Sequence, residues 1–416
     1  MTGASVALRH PRSLVIVLGM LVALGPFTID LYLPAFPAIQ HDFDTTPAAI
    51  TLTLTGATLG FGIGQLIVGP LSDSVGRRVP LIVSIALHIV ASAGAASALS
   101  VESLTAFRVA QGMGVTATGV VVIAIARDLF SGQRLVQTLA NVAVISGIAP
   151  IAAPVFGSQL LRITDWRGTF LVICGYAVVA FVLVMLLVPE TLRPEFRSRL
   201  RLPVVLGRYR ALGRDPGFAG IAVVGALTWS ALFSYLAASS FLFQNVYALD
   251  AQQYGLIFAG NAVVGLAAGQ NTSRVLIPRF GAERVLTAAM VGLLGAAGAV
   301  ALSAIAAAGG LLAFIAALMA VVVCCACAMP CLQILGLQHQ AAQAGTAASV
   351  LGGANFCVAG LVTPLVGVLG VTTALPLAAI IGSSAVLALM TRLVFRRISH
   401  LAVVRAGTPG AHRAFE

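Results

Sequence analysis

The stretch "SLVIVLGMLVALGPFTIDLYLPAFPAI", residues 13–39, carries a single charge, Asp30. A bilayer's hydrocarbon core of about 30 Å is crossed by about 20 helical residues at 1.5 Å each. The stretch is therefore long enough to cross. Lipid offers the backbone no hydrogen-bond partner, so a crossing segment of this kind must be a helix. It is too long and too free of charge for a cleaved signal peptide, and more runs follow, so it reads as a retained helix. Eleven further apolar runs lie at about 48–70, 79–99, 101–126, 134–161, 167–189, 217–245, 253–275, 283–305, 309–333, 345–370 and 371–395. The whole chain has the same character. Its 416 residues are 59% hydrophobic and only 9% charged, with a mean hydropathy of +1.02, whereas soluble domains carry about 25% charged residues. The expected fold is an all-α membrane protein of twelve transmembrane helices in two pseudo-symmetric six-helix halves.

All 24 basic residues are arginines, in a chain of net charge +11. Without lysine there is no P-loop and no Schiff-base chemistry. Transport by this chain is therefore not driven by an ATPase of its own. With both termini inside, inner loops and tails hold twenty-one arginines, among them Arg77, Arg78 and seven between Arg193 and Arg214. Outer loops hold only Arg162 and Arg167, and Arg108 falls within a span. That bias supports an N-in/C-in topology. Scattered between spans, the arginines do not form a nucleic-acid surface. Six cysteines all fall inside spans. Cys324, Cys327 and Cys331 share one helix face, but no histidine or acid joins them, so they read as packing residues rather than a metal site.

The segment "LRPEFRSRLRLPVVLGRYRALGRDP" (192–216) divides the spans six and six. The expected organisation is a tail 1–12, a half 13–189, a basic linker 190–216, a second half 217–395 and a basic tail 396–416. Two internal matches support a repeat. "PVFG" (154–157) returns as "PLVG" (364–367), and Gly76 returns as Gly281, at nearly the same offset. Repeats about an axis along the membrane normal belong to secondary transporters, with the substrate site between the halves.

Asp30 and Arg108 are the two charges placed within spans, apart from those at span ends. A charge at the bilayer centre costs at least about 2.5–3.5 kcal/mol, so it faces a cavity or a partner. Asp30 lies about 16 Å, and Arg108 about 9 Å, from the outer surface at 1.5 Å per residue. They are the candidate proton-coupling pair. Two plainer readings stand beside this: Asp30 at a helix end broken by Pro34, and Arg108 snorkelling outward. Substrate-cavity candidates are Tyr32, Gln65, Gln111, Met113, Asn141, Trp229 and Phe233. The last two, at i and i+4, present one aromatic face, and core packing explains them equally well. Asn261 and Asn355 are further intramembrane amides, which face a cavity or bond another helix. His88 has no titratable neighbour in sequence.

The loop "GPLSDSVGRRVPL" (69–81) packs an acid, glycines and two arginines into a few residues. Gly76 permits a turn with positive φ, and Asp73 can cap a helix or pair with Arg77 or Arg78. Through Gly69, Leu71, Asp73, Gly76, Arg77 and Arg78 this loop resembles the G-x-L-x-D-x-x-G-R-R/K loop of the major facilitator superfamily. There the loop is implied to latch the halves in the outward-facing state. "LTAFRVAQGMG" (104–114) is similar to the R-x-x-Q-G-x-G motif of proton-coupled members. "GIAPIAAPVFGS" (147–158), with Pro150, Pro154 and Gly157, resembles the antiporter motif, with Ser158 in place of its last glycine and Ala149 in place of its first. "IDLYLPAFP" (29–37), "ARDLF" (126–130), "DWRGTF" (165–170), "PETL" (189–192) and "AGTAAS" (344–349) together look like the Bcr/CflA drug-resistance branch, which includes bicyclomycin and chloramphenicol/florfenicol exporters. The second-half loop "RVLIPRFGAER" (274–284) lacks the acid.

The resemblance implies proton-coupled export of drug-like small molecules by alternating access. The proton gradient is then the energy source, no cofactor or metal is needed, and a monomer in the bacterial inner membrane suffices. A proton-coupled metabolite carrier is the main alternative. A membrane-embedded enzyme is a remote one, since no nucleophile–base set or metal-ligand spacing appears.

Overall fold

The computed structural model describes residues 11–197, 201–306, 310–338, 340 and 343–406. Among them run twelve long helices. In the first half these are α1 (Pro11–Asp30), α2 (Pro47–Val75), α3 (Arg78–Ala96), α4 (Val101–Leu129), α5 (Gly132–Leu160) and α6 (Trp166–Leu187). In the second half they are α7 (Pro216–Phe241), α8 (Ala251–Asn271), α9 (Ala282–Ala306), α10 (Gly310–Leu337), α11 (Ala344–Val362) and α12 (Leu375–Ala406). Local chemistry sets several starts. Thr46 accepts from the Ala49 amide ahead of Pro47, Ser100 and Ser103 form a reciprocal cap, and Asp165, Asp215 and Asp250 cap α6, α7 and α8. Each cap satisfies amide groups that a helix start leaves unpaired.

The first crossing is not one rod. Its regular helix ends at Asp30, a 3-10 turn covers Leu33–Ala35 at Pro34, and a short helix, Phe36–Asp42, completes it. Pro34 cannot continue the hydrogen-bond ladder. Asp30 therefore does stand at a helix break. Among the described residues, eleven helices are long and apolar enough to cross a membrane. The expected span 253–275 is α8, and it falls short because it carries Gln252, Gln253, Asn261, Gln270 and Asn271. The mid-helix amide Asn261 is buried in protein, Gln252 bonds the Ser158 carbonyl and Gln270 lines the central cavity, whereas Gln253 and Asn271 are exposed at the helix ends.

Helices approach closely where glycine removes a side chain. A Cβ on Gly56 would lie 2.8 Å from the Thr105 carbonyl, which ties α2 to α4, and one on Gly114 would lie 2.6 Å from the His88 amide, which ties α4 to α3. Contacts between the halves obey the repeat. Helix α5 packs on α8, with Gly255 against the Pro154 carbonyl, and α2 packs on α11, with Gly62 against the Gly353 carbonyl. Shifting each helix number by six exchanges these two pairs. Gly76 and Gly281 also match in conformation, at φ 107° and 79°.

One end of the bundle is sealed. Ser240 Oγ donates to the Leu33 carbonyl at 2.6 Å, Gln244 Nε2 to the Pro34 carbonyl at 3.1 Å, and Gln252 Nε2 to the Ser158 carbonyl at 2.8 Å. Phe36 meets Phe241 at 5.6 Å. A single apolar core there holds residues of both halves, such as Tyr32 and Phe170 with Phe241 and Tyr254. Toward the other end, which carries Arg77 and Arg78, the cores separate. A linker helix, Leu202–Arg214, spans that end. Its Tyr209 hydroxyl donates to the Leu66 carbonyl of α2 at 2.7 Å, and its Leu212 is buried with Phe218, Ala347 and Leu351 of the second half.

Gly157 gives a direct test of the close packing. A Cβ there would fall on the Leu31 carbonyl, so Gly157→Val must push α5 off α1, and overpacking of this kind costs about 1–3 kcal/mol. The expected result is a lower unfolding temperature of the detergent-solubilised protein, and an unchanged midpoint would disprove the contact.

Candidate functional site

A cavity of about 600 Å³ lies between the halves. It reaches from Asp30 near the sealed end to Gln270 and Ser273 toward the arginine-rich end. Small residues and prolines on facing helices make the room: Gly25 and Pro26 on α1, Gly119 on α4, Gly147 and Pro150 on α5, and Gly265 and Gly269 on α8. One wall is aromatic. Phe61 of α2 stacks on Phe356 of α11 at 4.4 Å, Trp229 lies 4.7 Å from Phe356, and Trp229 stacks on Phe233 at 5.5 Å. The rest of the lining is mostly aliphatic. Among the described residues Asp30 is its only carboxylate, and no arginine reaches it. Asp30 is 6% exposed, and its carboxylate makes no hydrogen bond or ion pair with any described residue.

Arg108 is fully enclosed. Its Nη1 donates to the Thr28 carbonyl at 2.9 Å and to Gln111 Oε1. The guanidinium lies 4.1 Å over the Tyr32 ring and 5.7 Å from Phe170. Nε and Nη2 have no hydrogen-bond partner among the described residues, so the aromatic faces supply the remaining stabilisation. Arg108 forms no ion pair with Asp30. It grips α1 two residues before that carboxylate.

His88 belongs to the same assembly. Its Nδ1 lies 3.1 Å from the Gln111 carbonyl, which can only accept, so Nδ1 bears the proton. Its Nε2 stands 3.5 Å from Thr28 Oγ1, whose own proton goes to the Leu24 carbonyl at 2.6 Å. Gln111 Nε2 donates to Ser92 Oγ at 2.7 Å, and Ser92 in turn donates to the His88 carbonyl at 2.7 Å. Sequence spacing hid this cluster, since Thr28, His88 and Arg108 are far apart in the chain.

The sequence-derived cavity candidates separate by place. Trp229 and Phe233 line the cavity, as does Pro150. Tyr32 and Gln111 surround Arg108 instead. Gln65 lies at the α2–α11 contact beside Gly352, and the backbone of Met113 packs on Gly60 and Gly64 of α2. Asn141 is exposed on α5. Pro154 lies within α5, where its carbonyl meets Gly255.

At the arginine-rich end, Gly76 turns the chain with φ 107°. Gly69 faces Ser349 of α11, whose Oγ would stand 3.0 Å from a Cβ added to that glycine. Arg77 pairs with Asp73 and, at 3.2 Å, with Asp128. Arg78 Nη2 donates to the Met185 carbonyl at 2.8 Å. The residue that sequence reasoning missed here is Glu190. Its carboxylate accepts the amides of Arg77 at 2.9 Å and Arg78 at 3.2 Å, and so caps α3 from 112 and 113 residues away. Asp128 also accepts from Thr191 Oγ1 at 2.9 Å. The only signals were "ARDLF" and "PETL", each holding one acid. Among the described residues no group of three His, Cys, Asp or Glu side chains could hold a metal.

Residues 16–364 match the family model described as Major Facilitator Superfamily. The chain is similar to an uncharacterized MFS-type transporter, YdgK, of Bacillus subtilis, at 32% identity over 91% of this chain and 94% of that one. It is also similar to a bicyclomycin resistance protein homolog of Haemophilus influenzae, at 28% identity over 90% and 94%. Among solved structures, the xylose transporter XylE from E. coli, in a partially occluded inward open conformation, superposes with a TM-score of 0.72 at 15% identity, covering 92% of this chain and 97% of that one.

The cap on α3 can be tested by itself. Glu190→Ala leaves the Arg77 and Arg78 amides without their acceptor, and loss of such a cap costs about 1–2 kcal/mol. Thermal unfolding in detergent should show a lower midpoint for Glu190→Ala and partial recovery for Glu190→Gln, whose amide oxygen still accepts. Equal midpoints for Glu190→Ala and the parent would rule the cap out.

Proposed function

The chain belongs to the Major Facilitator Superfamily, and from that premise we propose that it exports drug-like small molecules in exchange for protons. The observation that carries this reading is the cavity: a large apolar and aromatic chamber between two halves, with one unpartnered carboxylate in its wall. Such a chamber suits flat, greasy molecules of varied shape. A sugar-like metabolite would instead need many polar partners, which this lining lacks. The resistance name borne by a relative at 28% identity points the same way.

In this reading the protein is a multi-pass protein of a bacterial inner membrane with both termini inside. The arginine-rich end is cytoplasmic, and the sealed end is the outer face. The cavity is then in position to receive substrate from the cytoplasm. Asp30 is the proton site. Opened to the outside it loads a proton, and opened to the inside it releases one. Substrate and proton oppose each other because both change the stability of the same carboxylate. Arg108 acts through α1: its bond to the Thr28 carbonyl fixes where Asp30 stands. The loop at Asp73, Gly76, Arg77 and Arg78 latches the cytoplasmic end in the opposite state. The proton gradient is the energy source, and one copy of the chain suffices.

The test uses proteoliposomes with a pH gradient. Asp30→Asn should keep the fold and some drug binding, yet lose gradient-driven export and drug-induced proton release. Arg108→Ala should impair export as well. Normal drug–proton exchange by Asp30→Asn would remove Asp30 from the proton path.

A further inference from the structure

We infer that the sealed end of the cavity is a hydroxyl-recognition subsite, in which Asp30 accepts a hydrogen bond from a substrate hydroxyl while Tyr235, oriented by Asn261, donates one to it. The inference rests on the drug-export reading and narrows it to neutral amphiphiles that carry an unhindered primary alcohol.

Depth places the two groups together. Both line the cavity. Beyond them, α1 and α7 are joined by the Ser240–Leu33 bond of 2.6 Å. Asp30 precedes Leu33 by three residues and Tyr235 precedes Ser240 by five, so at 1.5 Å per residue they lie roughly 5 and 8 Å before that bond, at neighbouring levels.

Counting donors identifies the ligand. The Tyr235 hydroxyl accepts from Asn261 Nδ2 at 3.2 Å, and its own proton meets no acceptor among the described residues. Asn261 is 1% exposed, and its Oδ1 is buried without a partner among the described residues. An intramembrane amide held by one bond, to the phenol alone, serves to orient that phenol. The Tyr235 ring is fixed from its face by Phe258, stacked at 5.7 Å. The ionised Asp30 carboxylate only accepts. Asn261 itself does not line the cavity, so the wall at this end offers a ligand one free donor, the Tyr235 hydroxyl, and one free acceptor, the Asp30 carboxylate. A hydroxyl supplies the complement of both, because it donates once and accepts twice. An ammonium can satisfy Asp30 but leaves the Tyr235 proton unmatched. A carbonyl or a fluorine cannot donate to Asp30. Unmatched polar groups in a buried site are expensive, which makes such sites discriminate against isosteres that lack the hydrogen bond.

The probes are thiamphenicol and florfenicol: the primary hydroxyl of the first is a fluorine in the second, both keep the crowded secondary hydroxyl, and the subsite, at the closed end of the cavity, takes the primary one. Binding to the purified, detergent-solubilised protein is read from Trp229 fluorescence in the cavity wall, with transport into proteoliposomes as a second readout. The unmodified protein should bind thiamphenicol at least about tenfold more tightly. Tyr235→Phe and Asn261→Leu should each abolish that preference while florfenicol affinity stays within about twofold, which also shows that the variants fold. Equal affinity of the unmodified protein for the two drugs, or a preference that survives Tyr235→Phe, would overturn the subsite and leave drug export standing. Failure of both drugs to bind would instead count against the export reading and take the subsite with it.

Discussion

The rest of the site depends on one bond between a buried cation and a main-chain carbonyl, Arg108 Nη1 to Thr28. A guanidinium deep in a membrane protein must find acceptors or aromatic faces. Here it takes both, and one of its acceptors belongs to the backbone of α1 just before that helix breaks. The same crossing then carries Asp30 into the cavity and, past the break, Leu33 and Pro34 into the seal. A change at Arg108 is thus felt by the carboxylate and by the closure without any direct contact between the two charges. His88, Ser92 and Gln111 hold the arginine's surroundings on α3 and α4.

Much of the fold was legible because the bilayer restricts it. Runs of about 20 apolar residues must be helices, and their number, the arginine bias and the matched glycines gave the two-half plan. Gly76 could be read as a positive-φ turn since few other residues suit one. Helix faces were not legible. In a soluble helix the polar side marks the outside, but here lipid and core are both apolar, so Asn141 and Trp229 gave equal sequence signals and ended in opposite places. Partners distant in the chain were invisible for another reason. Nothing near Arg77 announces Glu190, and nothing near Arg108 announces His88 or Thr28. The polar composition of α8 was visible, but its meaning depends on Asn261 meeting Tyr235.

The repeat is kept in packing and abandoned in charge. Helix pairs α5–α8 and α2–α11 join the halves in symmetry-related ways. At the arginine-rich end the first half assembles Asp73, Arg77, Asp128 and Glu190. The second half has Glu283 near Arg392 at 3.7 Å, with Thr287 accepting from the same arginine. The common frame serves movement, which both halves share. Each cluster ties helices of its own half together, the first through α2, α3 and α4 and the second through α9 and α12.

The linker helix gives the molecule a mechanical property. It is bonded to α2 through Tyr209 and embedded beside α7 and α11 through Leu212. A connection anchored to both halves is a stay rather than a slack cord. It limits how far the two halves can swing apart at that face, whatever the cargo. The width of the opening at that face, and with it the largest molecule admitted, is then fixed in part by a segment that lines no part of the cavity.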